Sequence, residues 1–199
     1  MTQLKIEKLA YGGDGMAVQE GKVCFVEGAL PGEDVEVRFT QNKANFARAR
    51  ITQILNPSAH RVEPPCPYVE KCGGCQYQHV DYAEELRWKE IQVREYLARH
   101  LKISESLVKP IQGAGEAFHY RNSITVQKCG SGVGFYGEDN ETVIPVEDCL
   151  LADKTLAPIF KQAILVKSAK VTYRLSAEGE IVSDLSDKIY PIKVGERLI

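Results

Sequence analysis

The stretch Cys66-Pro-Tyr-Val-Glu-Lys-Cys72-Gly-Gly-Cys75-Gln-Tyr-Gln-His79 constrains this chain more than any other part of it. Three thiols within ten residues, the last two in a CxxC, are poor packing material and good ligands for a soft metal. Two thiolates separated by two residues can face one ion or cluster, and Gly73-Gly74 relieves the steric limits on a backbone that wraps so tightly. Three ligands leave one position to fill. Cys149 in Val-Glu-Asp-Cys, Cys129 in Lys-Cys-Gly-Ser-Gly and His79 are the candidates. Four thiolates would hold an iron-sulfur cluster or a structural zinc, whereas the three cysteines with His79 would form a local zinc knuckle. The six cysteines would also suit a disulfide framework, but nothing else in the chain points to an oxidising compartment.

The amino terminus has no basic start followed by a long apolar core, and no apolar run exceeds four residues, as in Val23-Cys-Phe-Val26. These features imply neither signal peptide nor membrane span, and hence a soluble, cytoplasmic protein. With 44% hydrophobic and 26% charged residues over 199 positions, the chain can bury one core of ordinary size or two small ones. Its net charge of -2 gives no overall reason to expect an anionic partner, but the charges are unevenly placed. Glu27, Glu33, Asp34 and Glu36 form an acidic block, and Arg38, Lys43, Arg48, Arg50 and Arg61 follow without one intervening carboxylate. Local potential, not net charge, steers a polyanion.

The basic window falls in a segment that reads as strands: Leu4–Leu9, Val23–Val26, Val35–Phe39 and Phe46–Ile51, separated by turn residues. Residues 1–57 are therefore expected to form a small antiparallel β-barrel or sandwich. In Phe46-Ala-Arg-Ala-Arg-Ile51, the period of two puts Phe46, Arg48 and Arg50 on one face and Ala47, Ala49 and Ile51 on the core side. An aromatic ring beside two guanidinium groups suits stacking on bases and pairing with phosphates. After the break around Pro64-Pro65, Asp81-x-x-Glu84 resembles a capping box. It opens a helix over Ala83–Leu101 with an apolar stripe of Leu86, Val93 and Leu97. Trp88, Tyr82 and Tyr96 read as packing residues. Strands are expected at 121–127, 133–136, 142–146, 171–175, 181–184 and 189–194, with a helix at 154–166. The fold class is mainly β, α+β overall.

At this point the residues carry a resemblance. Gly13-Asp14-Gly15, Gly28-Ala-Leu-Pro-Gly32-Glu33, Pro57-Ser-x-x-Arg61, the cysteine motif, Tyr82, Lys89 and His119-Tyr-Arg-Asn122 occur in the order seen in the front half of the bacterial RNA 5-methyluridine methyltransferases. The resemblance implies an OB-like TRAM β-barrel over residues 1–57, then an α+β central domain over 58–199 that holds a 4Fe-4S cluster. It implies Cys149 as the fourth ligand beside Cys66, Cys72 and Cys75, with zinc as the alternative metal, and leaves Cys24 and Cys129 as ordinary thiols. His79 would support the loop by hydrogen bonding.

The same resemblance implies an RNA partner, rRNA before tRNA, contacted by Lys43, Phe46, Arg48, Arg50, Arg61, Arg121 and Asn122. The family's Rossmann-like methyltransferase domain, its nucleophilic cysteine and its S-adenosylmethionine loop have no counterpart here; Gly113-Ala-Gly115 lacks a third glycine. The expectation is therefore a truncated or split S-adenosylmethionine-dependent enzyme, inactive alone; in the split case a separate polypeptide would supply the methyltransferase domain. A stand-alone RNA-binding protein with a structural zinc or iron-sulfur site is the competing reading. A radical S-adenosylmethionine enzyme is disfavoured, because its cluster loop resembles Cx3CxxC and the first gap here is five residues.

Overall fold

In a computed structural model of the chain, described for residues 2–130, 132–161, 169–184 and 190–192, alternating side chains produce two separate six-stranded sheets. The first contains β1 (Thr2–Lys5), β2 (Lys8–Leu9), β3 (Gly15–Gln19), β4 (Lys22–Glu27), β5 (Asp34–Asn42) and β6 (Phe46–Asn56). Their order is β1-β5-β6-β4-β3-β2, and only the β4–β6 pairing is parallel. β1 and β2 are two halves of one segment parted at Ile6 and Glu7. One half pairs with β5 and the other with β3, so the same stretch stands at both ends of the strand order and closes the sheet into a barrel. At the break, the Ile6 N–H donates to the Glu33 carbonyl and the Glu7 N–H to the Met16 carbonyl, which keeps the ring of backbone hydrogen bonds running. Val26, Val35, Ala47 and Ala49 fill the interior.

The expected strand Leu4–Leu9 is thus interrupted, and β3 is a strand the sequence did not announce. β6 runs on to Asn56 because its pairing with β5 continues through three register irregularities, which supply the extra twist that a small barrel needs.

The helix α1 (Tyr82–Tyr96) starts where expected, with the Asp81 carboxylate accepting the Glu84 N–H at 2.9 Å. The reciprocal half of the capping box does not form, since the Asp81 N–H donates to the His60 carbonyl. The buried face also differs from the apolar stripe. Val93 is half exposed, and Glu84 and Trp88 are buried instead. Glu84 turns inward because it arrives with partners, the Trp88 Nε1–H at 2.7 Å and the Arg87 guanidinium. Trp88 packs with Leu9, Leu30 and Val80 as a second small core. Tyr96 is exposed rather than packed. The last turn, Leu97–Leu101, is π-helical and ends on Lys102 in the left-handed conformation.

The second sheet is antiparallel throughout, with β7 (Ser123–Cys129), β8 (Gly132–Tyr136), β9 (Val143–Pro145), β10 (Lys170–Leu175), β11 (Ile181–Ser183) and β12 (Tyr190–Ile192) in the order β12-β11-β10-β7-β8-β9. Val126, Val133, Leu156, Val171 and Ile181 lie at the centre of its core. The helix expected at 154–166 appears as a 3-10 turn (Lys154–Leu156) and a short α2 (Pro158–Lys161). Its remainder and the end of the strand expected at 189–194 lie outside the described residues. By contact the chain divides into two units, Met1–Pro65 with Gln76–Gln112, and Cys66–Cys75 with Gly113–Ile199. Among the described residues no helix is long and apolar enough to cross a membrane.

Candidate cysteine centre and nucleic-acid face

All four cysteines expected as ligands fall in the second unit. The loop Cys66–Cys75 is a run of tight turns. The Val69 N–H donates to the Cys66 carbonyl, and the Lys71 and Cys72 N–H groups both donate to the Tyr68 carbonyl. The loop is docked on the β8–β9 hairpin by a bridge between Cys72 and Gly137 and by the Gly73 N–H, which donates to the Tyr136 carbonyl at 3.0 Å. A Cβ at Gly73 would stand 2.8 Å from the Gly137 carbonyl oxygen, so this close approach requires glycine.

Tyr68 connects the loop to the fourth cysteine: its hydroxyl accepts the Glu147 N–H at 3.1 Å, and both Tyr68 and Cys149 pack on the core of the second sheet. Burial pushes the Cys72 thiol up, a backbone hydrogen bond at Gly74 opposes it, and the neighbouring Cys149 and Cys66 push it further up. Cys66 and Cys149, from the two segments, are thus both within electrostatic reach of Cys72. All six cysteines are thiols rather than disulfides. Cys24 is buried in the barrel, and the Cys129 thiol, on β7, is turned toward the Val143 carbonyl. Among the described residues, no group of three or more His, Cys, Asp or Glu side chains stands ready-made for a metal ion. The chemistry of four cysteine sulfurs on two segments tied together by Tyr68 suits a thiolate-held cluster or a structural zinc.

His79 belongs to the first unit. Its Nε2 is buried without a hydrogen-bond partner, and burial, with Arg61 nearby, lowers its pKa to about 4, so the ring is neutral. The support His79 gives the chain comes through its backbone, where its carbonyl accepts the Val62 N–H.

The second candidate surface is the outer face of β4 and β6. Ala47 and Ala49 are buried and Arg48 and Arg50 exposed, as the alternation requires. The parallel register sets Val23 beside Phe46, Phe25 beside Arg48 and Glu27 beside Arg50. The Arg48 guanidinium lies 5.6 Å from the centre of the Phe25 ring and pairs with Asp14 at 2.9 Å; Arg50 pairs with Glu27 at 2.8 Å. Phe25 and Phe46 meet edge to face at 6.2 Å. Phe25 is the member of this face that the sequence reading missed, although alternation in Val23-Cys-Phe-Val26 turns it outward once Cys24 faces in. Lys43 is exposed in the β5–β6 turn, and Arg38 is exposed opposite Arg50 on β5.

Arg61 is placed differently. Its Nε and one terminal nitrogen hold the two oxygens of the fully buried Glu33 at 2.6 and 2.7 Å, and it also donates to the Gly28 carbonyl. Burial works to raise the Glu33 carboxyl, but Arg61 and the amides of Leu30 and Ser58 outweigh it and hold the group below its ordinary value. Arg121 and Asn122 are exposed on the second unit. Their backbone is stitched to the segment after Cys149: the Arg121 N–H donates to the Leu151 carbonyl, and the Asp153 N–H to the Arg121 carbonyl.

Residues 2–52 match the TRAM domain. An uncharacterized RNA methyltransferase of Bdellovibrio bacteriovorus is 38% identical over 186 residues, which is 90% of this chain and 47% of that protein. A 23S rRNA (uracil(1939)-C(5))-methyltransferase, RlmD, of Shewanella baltica is 32% identical over 184 residues, 89% of this chain and 40% of its own length. The chain thus spans about half the length of the curated relatives it matches. Among solved structures, the Pyrococcus abyssi tRNA (uracil-54, C5)-methyltransferase in complex with S-adenosyl-L-homocysteine superposes with a TM-score of 0.62 at 20% identity. That match covers 98% of this chain and 47% of the other, and it shows a shared fold.

Proposed function

We propose, on the premise that this chain is a TRAM-bearing homologue of the RNA uracil-C5 methyltransferases, that it forms the RNA-binding and 4Fe-4S-binding portion of such an enzyme. The observation that carries this reading is the homology over about nine tenths of the chain to RNA methyltransferases. In this reading residues 1–57 are the RNA-binding barrel and 58–199 the cluster-bearing central domain, and the substrate is rRNA rather than tRNA. The rRNA assignment is supported by the 32% identity to an enzyme named for 23S rRNA; the tRNA enzyme shares only the fold.

The barrel holds RNA by pairing Lys43, Arg48 and Arg50 with phosphates and stacking Phe46 on a base. Arg121 and Asn122 contact RNA from the central domain, and Arg61 acts by positioning Glu33 and the Gly28 turn. A uracil inside a folded RNA must be unstacked before its C5 can be reached, at a cost of roughly a few kcal/mol that such contacts offset. Methyl transfer from S-adenosylmethionine is the reaction of the whole enzyme, and the part assigned to these residues in it is the holding of the RNA.

Cys66, Cys72, Cys75 and Cys149 would hold the cluster. When bound, it supplies a covalent tie between two distant segments, since methyl transfer is redox-neutral. Iron, zinc and acid-labile sulfide measured on protein purified without oxygen test this. About four irons and four sulfides per chain are expected, lost in Cys149→Ala and kept in His79→Ala. About one zinc without sulfide, retained in Cys149→Ala, would replace the cluster with a zinc site.

A further inference from the structure

A groove of about 1240 Å³ runs within the first unit between the β2–β3 and β4 side of the barrel and the side of α1 that carries Lys89, Gln92 and Tyr96. It is held open by hydrogen bonds that fix the helix to the barrel. The Gln92 side-chain amide donates to the carbonyls of Leu9 and Ala10, and Lys8 pairs with Glu95 at 3.0 Å. Its walls carry two aromatic rings in unusual exposure, Tyr11 at 95% and Tyr96 at 59%, beside the half-buried rings of Tyr77 and Phe25. Large rings left in water at a groove mark a surface that something covers.

Charge and continuity say what covers it. Among the lining residues Lys8, Lys89 and Arg99 are cationic and Glu95 alone is anionic, and the Lys89 ammonium sits 5.0 Å from the Tyr77 ring centre. Phe25 lines the groove and also meets Arg48 and Phe46, so the groove continues the basic face of β4 and β6 without a break. At its far end the π-helical turn carries Arg99 and His100, with His100 against the Tyr96 ring at 4.7 Å. Such turns recur where a helix re-aims side chains for function.

We infer that this groove receives unpaired bases of the RNA whose phosphates the Arg48 and Arg50 face holds, with Tyr11 and Tyr96 as stacking platforms. The inference rests on the RNA-binding reading above and assigns it a second element, sequence-tolerant and selective for single strands. Stacking uses the ring face, so every base fits; a duplex, whose bases are already stacked, does not.

The test uses the full chain, a fluorescein-labelled single-stranded oligouridine and a duplex RNA of the same length. Tyr11→Ala with Tyr96→Ala should weaken oligouridine binding on the order of ten-fold or more, without changing the slope against salt or the affinity for the duplex. Tyr11→Phe with Tyr96→Phe should restore it. Tyr11→Ala alone, at a side chain almost wholly in water, should show part of the loss with unaltered unfolding. Unchanged oligouridine affinity in the alanine pair, while Arg48→Ala with Arg50→Ala loses affinity, would overturn the groove and leave the RNA reading intact. Unchanged affinity in both pairs would overturn both. A sedimentation coefficient that depends on concentration in the parent and not in the alanine pair would overturn the inference by making the groove an interface between copies of the chain.

Discussion

Replacing Arg61 by methionine separates service to the fold from service to the RNA. Each oxygen of the fully buried Glu33 accepts one Arg61 nitrogen and one backbone amide, from Ser58 at 3.1 Å and Leu30 at 2.8 Å. Methionine follows the aliphatic course of arginine but leaves the carboxylate with two amide donors and no cation. Removing one partner of a buried pair costs about 3–5 kcal/mol. Two amide bonds survive and the Arg61 side chain is 21% exposed, so the lower end, about 3 kcal/mol at pH 7, is expected.

The pH dependence has a definite sign. In the parent the folded-state pKa of Glu33 lies below its ordinary 4.5, so its contribution is complete above that value and is lost as pH falls through the lowered pKa. Without the cation, burial prevails and the folded-state pKa rises, so the variant recovers as the carboxyl takes up a proton. The stability gap must narrow between pH 7 and about pH 4. Urea unfolding followed by the fluorescence of Trp88, the one tryptophan of the chain, reads it within the same unit. RNA affinity of the folded variant should stay within about two-fold of the parent. A gap under about 1 kcal/mol at pH 7, or one that does not narrow on acidification, would refute the reasoning.

Gly73→Ala should push the loop off the β8–β9 hairpin, because the new Cβ meets the Gly137 backbone and not a side chain that can swing away. A loss of about 1–3 kcal/mol and of bound iron is expected. Gly74→Ala, whose nearest neighbour is the Cys72 sulfur at 3.5 Å, is the tolerated control in the same assays. Arg48→Ala with Arg50→Ala should leave stability within about 1 kcal/mol, since both are surface pairs. Fluorescence titrations across a salt series should show the slope of RNA binding falling by about 1.4, two phosphate contacts on a single strand. Asp81→Ala should cost about 1 kcal/mol of stability through loss of the helix cap, and Asp81→Asn should restore most of it. The Glu84 amide is the largest cause of the lowered Asp81 pKa, so the cap's contribution should fade as pH drops below 3.8 in urea unfolding.

What could be read in advance was local. The alternation of Phe46–Ile51 and the cap at Asp81 each depend on residues a few positions apart, and both appear in the structure. β3 escaped because Gly15-Met-Ala-Val-Gln has no alternating apolar set, and it is a strand only through its partners β2 and β4. The buried face of α1 was misread because hydrophobicity cannot flag Glu84, which goes inward on account of Trp88 and Arg87. Arg61 was grouped with the surface cations because its partner Glu33 stands 28 positions earlier, in the acidic block. The aromatic groove was invisible for the same reason, since Tyr11 and Tyr96 are distant in sequence and no spacing rule joins them.

The chain passes between its two units three times, at Pro65, Cys75 and Gln112, and this has a consequence for the order of events during synthesis. Cys149 leaves the ribosome seventy-four residues after Cys75. At about 5–20 residues per second, the first three thiols wait roughly 4–15 s for the fourth. Over most of that interval the barrel strands and α1 have been made, while the hairpin on which the cysteine loop docks is not complete until Pro145, four residues before the fourth thiol. On the cluster-binding proposal, insertion would therefore be a late event that has to wait for Cys149, long after the residues of the barrel have been made.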